Sequence, residues 1–338
     1  MSKKEVVVYI KAITPLWTGD AWRENCSIRP SSLLGSLRFW FSVYWKVIKN
    51  GEVEKLDKNG VIADNIHEFE KPEEDFTFKQ IVLNRLLDEK DSEDIDSVMD
   101  RALEELKVSV PSRLFGCTGW KSRIDIEIKS FSSKELKKRD VEFNFPYGQV
   151  DSSGWLKRVL FQHGCKVNKY EGVELIIKTT EYWWDKYLAD FFEFFKDKII
   201  LVGGKLSFGF GMVNIKLGGD SDSTNDTSSN YSGIDNVMLV RSIRGINYGG
   251  DKREVLGFNF KYYLRKNENN RKYRKKYFGK KGKASSIYVS HLLKNKENSV
   301  YLIGLNNPFS ERQISEYVFN KYAGFLLELS ENRGGQNA

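Results

Sequence analysis

The chain has 338 residues, a formal net charge of +8 and 40% hydrophobic residues. This length allows two domains with separate cores, and this hydrophobic content excludes a disordered chain. No apolar run approaches the roughly 20 residues that a membrane-spanning helix needs, and the apolar start of MSKKEVVVYIKAITP is too short and too β-like for a signal peptide. Three scattered cysteines (Cys26, Cys117 and Cys165) do not form a disulfide framework, so a reducing, cytoplasmic location is expected.

The charge is distributed unevenly along the chain. Residues 51–105 contain 18 acids and 7 bases, a local charge of −11, so the remainder carries +19. A basic protein with an acidic insertion favours a polyanion as ligand. Membrane lipid is disfavoured because the basic clusters alternate with turns and tyrosines and do not follow one amphipathic helix.

The first part of the chain alternates strand and helix patterns. In chain order these are a strand at 5–13, a helix at 30–48, surface helices at 77–90 and 92–106, a basic loop from 111 leading into a strand at 124–128, a short helix at 155–164, a strand at 173–180, a helix at 181–200 and a strand at 212–217. Without the inserted segments the order is strand, helix, strand, strand, helix, strand. This is the split βαβ order of a ferredoxin-like domain.

The second part follows a polar run at 218–233, which is typical of a linker or a mobile loop. Strands are expected at 237–250, 254–266, 285–294 and 299–307, followed by a helix at 314–329 and a frayed tail. The sequence therefore predicts an α+β protein with two ferredoxin-like domains, 1–219 and 234–338. The first would carry a helical acidic insertion at about 51–110.

A phosphate-binding helix start is one candidate site. A helix start is predicted at Pro30, Ser31 and Ser32, where a serine hydroxyl can cap free backbone N–H groups. Arg29 and Arg38 supply cations near it. The alternative is a capped core helix whose arginines face water.

The glycine-rich loop LVGGKLSFGFG, residues 201–211, is a second candidate. It follows a helix and precedes a strand, so it is neither a dinucleotide fingerprint nor a P-loop. Glycines let the backbone approach a ligand closely, and Lys205 adds a cation. A simple hairpin-like turn is the alternative.

Bases in the second half form a third candidate. Residues 265–283 contain ten bases and one acid, with Tyr273 and Tyr277 among them, and Arg241 and Arg244 lie in a basic turn nearby. Bases for phosphates and rings for nucleobases indicate nucleic-acid binding. A solvated charge run is the alternative.

Catalytic and metal sites have little support in the sequence. The three histidines, His67, His163 and His291, lack partners at zinc spacing, and no hydrolytic triad is recognisable. Asp20, with Glu24, could hold a divalent cation or act as a base, which leaves a metal-dependent endoribonuclease as an alternative. No cofactor or metal is expected.

The segments TPLWTGD, IRPSSLLGSLRFW, RLFGCTGWKSR and GGKLSFGFGMV resemble the RAMP superfamily of type III CRISPR effector complexes. Within it the chain is most similar to the first subunits of type III-B (Cmr) complexes, with ASSIYVSHL also matching. The chain departs from the family where it carries Leu34, since such proteins often have a basic residue in the first turn of this helix.

The resemblance implies two RRM-like RAMP domains, crRNA and target RNA as ligands, and a non-catalytic role at the crRNA 3′ end beside another RAMP subunit of the complex. A general RNA-binding protein unrelated to CRISPR is a further alternative. The candidate RNA-contacting residues are Trp17, Arg23, Arg29, Ser31, Arg38, Arg113, Lys121, Gly203, Gly204, Lys205, Gly209, Phe210, Gly211, Arg241, Arg244, Arg271, Lys272, Arg274 and Lys275. Those in the first domain are expected to line one groove that the second domain extends.

Overall fold

The structure is a computed structural model. It describes residues 2–19, 25–49, 72–88, 94–117, 119–146, 152–161, 167–218, 234–250, 252–279, 285–306 and 313–331. Several sequence-based expectations lie outside these residues, among them Asp20, Arg23, Glu24, the linker at 219–233 and the frayed tail.

Ten helices and ten strands are present in the described parts of the chain. The helices are α1 (Pro30–Val43), α2 (Pro72–Asp88), α3 (Ile95–Glu105), α4 (Val110–Phe115), α5 (Ser152–Phe161), α6 (Glu181–Trp183), α7 (Ala189–Phe195), α8 (Gly257–Asn267), α9 (Arg271–Tyr277) and α10 (Glu316–Glu331). The strands are β1 (Lys3–Leu16), β2 (Asp125–Leu136), β3 (Val141–Glu142), β4 (Val167–Thr180), β5 (Ile199–Leu201), β6 (Met212–Leu217), β7 (Met238–Arg244), β8 (Glu254–Val255), β9 (Ile287–Val289) and β10 (Ser299–Leu305).

The larger sheet is antiparallel and has the strand order β2-β4-β1-β6-β5. Strand β1 lies at its centre. Its alternating sequence buries one face of the strand and exposes the other, so that Val8 and Ile10 are buried whereas Tyr9 and Lys11 are exposed. The elements follow in the predicted order, and the mixed α/β class with antiparallel sheets is confirmed.

One face of this sheet is covered by α1 and by the helical segment that α6 begins and α7 ends. The periodic face predicted for α1 is confirmed, since Leu33, Leu37 and Trp40 are buried. The Trp40 indole N–H donates to the Leu201 carbonyl over 2.7 Å, and the Trp40 and Phe195 rings lie 5.5 Å apart. Aromatic packing of this kind stabilises the core and holds the last turn of α1 against the sheet.

The second sheet has three antiparallel strands in the order β7-β10-β9. It packs against α8 and α10 through a core that includes Ile243, Phe260 and Tyr322. The strand predicted at 254–266 was wrong: β8 has two residues and then α8 begins. The apparent alternation of Phe258 and Phe260 hid the helical spacing of the buried residues Phe260 and Leu264.

Two smaller expectations were also corrected. The predicted loop from residue 111 begins inside α4, which starts at Val110 with Ser109 as its capping residue. The helix predicted at 181–200 ends at Phe195, because residues 199–201 pair with β6 as β5. It also contains a π-helical turn, Trp184–Leu188. Basic residues 271–277 form α9, capped by the Asn270 side chain.

The two halves of the chain share buried contacts. A small core contains Trp17 and Phe210 from the first half and Leu256 from the second. Strand β3 pairs in parallel with β8, and the Asn259 amide donates to the Glu142 carbonyl over 3.0 Å. The boundaries predicted at 219 and 234 stay a prediction.

Candidate nucleic-acid interface

The first half of the glycine loop wraps tightly around the backbone of Trp17. The Gly204 N–H donates to the Trp17 carbonyl over 2.6 Å, and the Gly203 N–H donates to the Ser36 hydroxyl over 2.9 Å. Gly203 has φ +84°, and a Cβ there would lie 2.5 Å from the Trp17 oxygen. Any side chain would therefore both strain the backbone and push the loop off the segment that precedes α1.

The far end of the loop joins the two halves of the molecule. Gly209 has φ +93°, and a Cβ there would lie 2.7 Å from the Gly257 Cα at the start of α8. The Gly211 N–H donates to the Pro15 carbonyl over 3.0 Å. These glycines permit close backbone packing, and the loop is held by β1, α1 and α8 at once.

Two aromatic residues expected to contact RNA are instead core residues. Trp17 is 2% exposed and Phe210 is fully buried, and their rings meet edge to face with centroids 5.3 Å apart. Phe210 also contacts the ring of His291, whose pKa is lowered to about 3 chiefly by burial. The role predicted for these two rings was wrong: they support the loop from beneath and present no face to a nucleobase.

Lys205 lies at the surface of this loop. Its backbone adopts the left-handed conformation, with φ 53°, although it carries a side chain. Its ammonium lies 5.6 Å from the Trp17 ring centre and 5.4 Å from that of Phe208. The contacts hold the cation close to the loop, where it can meet a phosphate.

The start of α1 differs from the predicted capped helix. Arg29 is the N-cap residue, and no side chain caps the helix. The Ser32 hydroxyl instead donates to the Thr18 carbonyl over 2.6 Å, and the Arg29 N–H donates to the Thr18 hydroxyl over 3.2 Å. The side chains of Arg29 and Ser31 are exposed, while Leu34 is partly buried.

The side chains of Arg38 and Arg113 form hydrogen bonds and an ion pair inside the protein. Arg38 donates to the Gly116 carbonyl over 2.7 Å and to the Ser112 hydroxyl over 3.1 Å, which ties α4 to α1. Arg113 is 4% exposed and bonds Asp100 at 2.8 Å. The prediction that Arg113 lines a groove was wrong, because its guanidinium forms a buried ion pair with Asp100.

Asp100 explains how the second helix of the acidic insertion attaches to the core. Its carboxylate also accepts from the Tyr187 hydroxyl over 2.5 Å, the Tyr182 hydroxyl over 2.8 Å and the Lys186 ammonium over 2.7 Å. Burial and the negative charge of Asp100 raise the pKa of Tyr187. Helix α3 is therefore fixed by a buried polar network.

Lys121 lies far from the glycine loop. It lines a surface pocket with Lys3 and Lys4, at the first end of β1. The loop contacts Pro15, at the other end of this 14-residue strand. At about 3.3 Å per residue the two ends are roughly 40 Å apart. The single groove predicted for the first half was therefore wrong, because Lys121 and Lys205 lie on different parts of the surface.

The cations of the second half are mostly exposed. Arg241 and Arg244 lie three residues apart on β7 and so point to opposite faces of the sheet. On α9, Arg274 is partly buried, and three other candidates are exposed, namely Arg271, Lys272 and Lys275. Tyr277 is 4% exposed and packs in the core, so it anchors α9 and is not available to stack on a base.

Helix α8 contributes residues that the sequence analysis missed. It begins against Gly209 of the loop and ends at Asn267, and three residues separate it from α9. Its partly exposed side carries Phe258, Lys261 and Tyr262, with Arg265 exposed beyond them. The spacing of these residues, i, i+3, i+4 and i+7, was the available signal, but the wrong strand assignment hid it.

The stretch that forms α8 and α9, next to the loop, is strongly basic. Glu268 is the one acid between residues 257 and 279. Its carboxylate is buried and accepts from Lys321 over 3.0 Å and from the Tyr322 hydroxyl over 2.9 Å. Burial raises its pKa, but hydrogen bonds from the Asn270 N–H, Lys321 and Tyr322 outweigh this and hold the pKa below its ordinary value. No acid of this stretch therefore faces an approaching polyanion.

The residues that the structure describes contain no cluster of three or more His, Cys, Asp or Glu side chains that could hold a metal ion. They also contain no helix that is long and apolar enough to cross a membrane.

Comparison with known proteins gives a family match over most of the first half. The model of the RAMP superfamily matches residues 9–214, from β1 through the glycine loop to β6. No curated protein matches the chain. Among the solved structures that match, the apo form of Cmr1 from Pyrococcus furiosus is 14% identical with a TM-score of 0.46, over 96% of each chain. This similarity is too low to carry a functional argument. On the family match, which includes β1, α1 and the glycine loop, the chain belongs to the RAMP superfamily.

Proposed function

We propose that the chain is a non-catalytic RNA-binding subunit of a type III CRISPR effector complex. The observation that carries this proposal is the basic surface that runs from Lys205 along Lys261 and Arg265 of α8 to α9, with Glu268 turned into the core. A set of cations with no exposed acid among residues 257–279 fits the phosphates of a single strand. Membership of the RAMP superfamily supports RNA as the polyanion.

The finer assignment is to the first subunit of a type III-B (Cmr) complex, at the crRNA 3′ end, where it would help to capture target RNA beside another RAMP subunit. Its support is the set of sequence motifs given above, in their order along the chain. Two ferredoxin-like domains belong to the same proposal. In support, β2-β4-β1-β6 have the split βαβ strand order, and β9-β10-β7 have the order of three of its four strands.

The non-catalytic role rests on the absence of a recognisable catalytic set in the sequence. Asp20, the residue that a metal-dependent endoribonuclease would use, lies outside the described residues. Incubation of the purified protein with RNA and Mg²⁺ tests this part of the proposal. RNA cleavage that is lost in Asp20→Asn would contradict it.

Salt dependence tests the RNA surface. The logarithm of the affinity for single-stranded RNA should fall linearly with the logarithm of the salt concentration, because each phosphate contact releases counterions. Lys205→Ala and Lys272→Ala should each weaken binding and lower this slope by about 0.7. Lys134→Ala is the matched control, because Lys134 is a strongly exposed cation on β2 that pairs only at the surface with Glu171.

An affinity that does not change with salt would contradict the RNA-binding role. Equal effects of Lys134→Ala and Lys205→Ala would contradict the assigned surface. Purification of the chain from its native cells, with a guide RNA and other RAMP subunits bound, supports the CRISPR assignment. Bound RNA of other kinds would indicate a general RNA-binding protein.

A further inference from the structure

Helix α8 separates two kinds of side chain onto two faces. Phe260 and Leu264 are buried in the core against the second sheet. The opposite face carries Phe258, Lys261, Tyr262 and Arg265. This second face adjoins the glycine loop, since α8 begins at Gly257 beside Gly209.

Three aromatic rings form a ladder on this face. The Phe208 ring, from the loop, lies 5.5 Å from the Phe258 ring with 20° between their planes. The Tyr262 ring continues the series at 6.2 Å and 23°. All three side chains are partly exposed. Near-parallel, offset rings favour further stacking of a flat group, whereas most ring pairs in the core of this protein meet at steep angles.

Two cations stand beside this aromatic ladder without an acid between them. Among the described residues, no carboxylate or hydrogen-bond acceptor pairs with the Lys261 ammonium. Burial and the nearby charge of Arg265 lower the pKa of Lys261 to about 7. Arg265, four residues further along, is exposed. Like charges at this spacing repel, so an anion that binds between them removes an unfavourable interaction.

We propose that Phe208, Phe258 and Tyr262, together with Lys261 and Arg265, form a nucleotide subsite for single-stranded RNA. An unpaired base stacks against the ladder, and the adjoining phosphate lies between the two cations. Rings that stack combined with cations for the backbone are the usual elements of single-strand binding. The subsite deepens the RNA-binding role proposed above and depends on it.

A fluorescent purine analogue placed in a short single-stranded RNA tests the subsite, because stacking on an aromatic ring quenches its emission. Tyr262→Leu and Phe258→Leu keep an apolar side chain but remove the ring. Each should weaken binding by about 5- to 100-fold and reduce the quenching, while the salt dependence of binding stays unchanged. Tyr262→Phe keeps the ring and should behave as the wild type.

Cation variants separate the two parts of the subsite. Lys261→Met should lower the salt slope by about 0.7 and leave the quenching in place at saturation. Tyr317→Leu is the control for a lost aromatic residue, because Tyr317 is 81% exposed on α10. It should bind and quench like the wild type.

The outcomes distinguish this subsite from the general role. Wild-type protein that fails to bind RNA overturns the proposed function. Wild-type binding with quenching that persists in both Leu variants overturns the subsite alone. If Phe258→Leu does not fold, Tyr262→Leu decides, because Tyr262 belongs to no core cluster of the described residues. Binding of an acidic protein subunit that is lost in the same variants, without RNA quenching, would assign the face to a protein partner.

Discussion

Lys261, for which a role in RNA binding is proposed, lowers the stability of the folded protein when it is charged. Its pKa is near 7 in the folded protein, against an ordinary value of 10.5, because burial disfavours its charge. Between these two pH values the unfolded chain binds more protons, so stability rises with pH across this window. Below pH 7 both states are protonated and the full cost of the buried charge applies.

Lys261→Met should therefore be more stable than the wild type at pH 7 and below, with the advantage shrinking towards pH 10.5. Methionine keeps the apolar contacts of the lysine stem and removes the charge. Urea unfolding at pH 6.5 and pH 10 measures the difference. Lys266→Met, an exposed position on the same helix, is the control and should show no such pH-dependent gain. A Lys261→Met variant that is less stable than the wild type at pH 6.5 would show that the charge of Lys261 does not destabilise the folded protein.

Single residues were the least predictable level of this protein. Arg113 and Lys121 look alike in the sequence, yet one is buried against Asp100 and the other lies at the surface. The partner of Arg113 comes from the acidic insertion, and no local pattern shows that α3 folds back onto α4. The predicted RNA contacts of Trp17 and Phe210 were wrong for a related reason. An aromatic residue in a loop has the same sequence signature whether it faces solvent or supports the backbone.

Helix α3 depends on its polar contacts with the core. Asp100 is fully buried and binds Arg113, Tyr187 and Lys186, while Asp96 accepts from the Thr180 hydroxyl over 2.6 Å. Removal of one member of a buried ion pair leaves the other charge without compensation. The Asp100 carboxylate therefore makes most of the polar contacts that attach this element to the core.

Asp100→Asn should lower the free energy of unfolding by about 3 kcal/mol, because Arg113 loses its buried counter-charge. The salt dependence of RNA binding should not change, since neither residue belongs to the RNA surface. Glu104→Gln is the control: Glu104 is 64% exposed and lies 3.8 Å from Arg113, so its loss should cost less than about 1 kcal/mol. Comparable losses in both variants, measured by urea unfolding, would contradict a dominant buried pair.

Elements were predictable where one period dominated. The alternation of β1 predicted a strand and the apolar spacing in α1 predicted a helix with a buried face, and both are confirmed. Helix α8 was missed because its two phenylalanines alternate over three residues, while its helical periodicity needs the full length to Asn267. Strand β5 was missed because the charged residues 196–198 resemble a polar turn of the predicted helix, although they separate α7 from Ile199–Leu201.

At the scale of the whole molecule, the glycine loop joins two sheets that the sequence presents as separate units. The prediction that the loop lies near a binding surface came from its glycines and from Lys205. The glycines are instead explained by close backbone packing. The backbones of Gly209 and Gly257 meet, and a Cβ on Gly257 would lie 1.9 Å from the Val289 carbonyl oxygen. The same contact places Phe208 of the loop against Phe258 of α8. The aromatic ladder therefore exists only when the two halves are docked.

Gly257→Ala tests whether the close contact between the glycine loop and α8 supports both stability and RNA binding. The added methyl cannot fit against backbone atoms, so α8 must move away from the loop, and we expect a loss of about 1–3 kcal/mol in stability. Because the two halves then dock less tightly, single-stranded RNA should bind more weakly, and the quenching of a stacked purine analogue should fall. Gly324→Ala on α10 is the matched control, since its Cβ would meet no atom within 4 Å. Alanine there should raise stability by about 0.5–1 kcal/mol and leave RNA binding unchanged. A Gly257→Ala protein with wild-type stability and quenching would show that the close contact between loop and helix does not build the RNA surface.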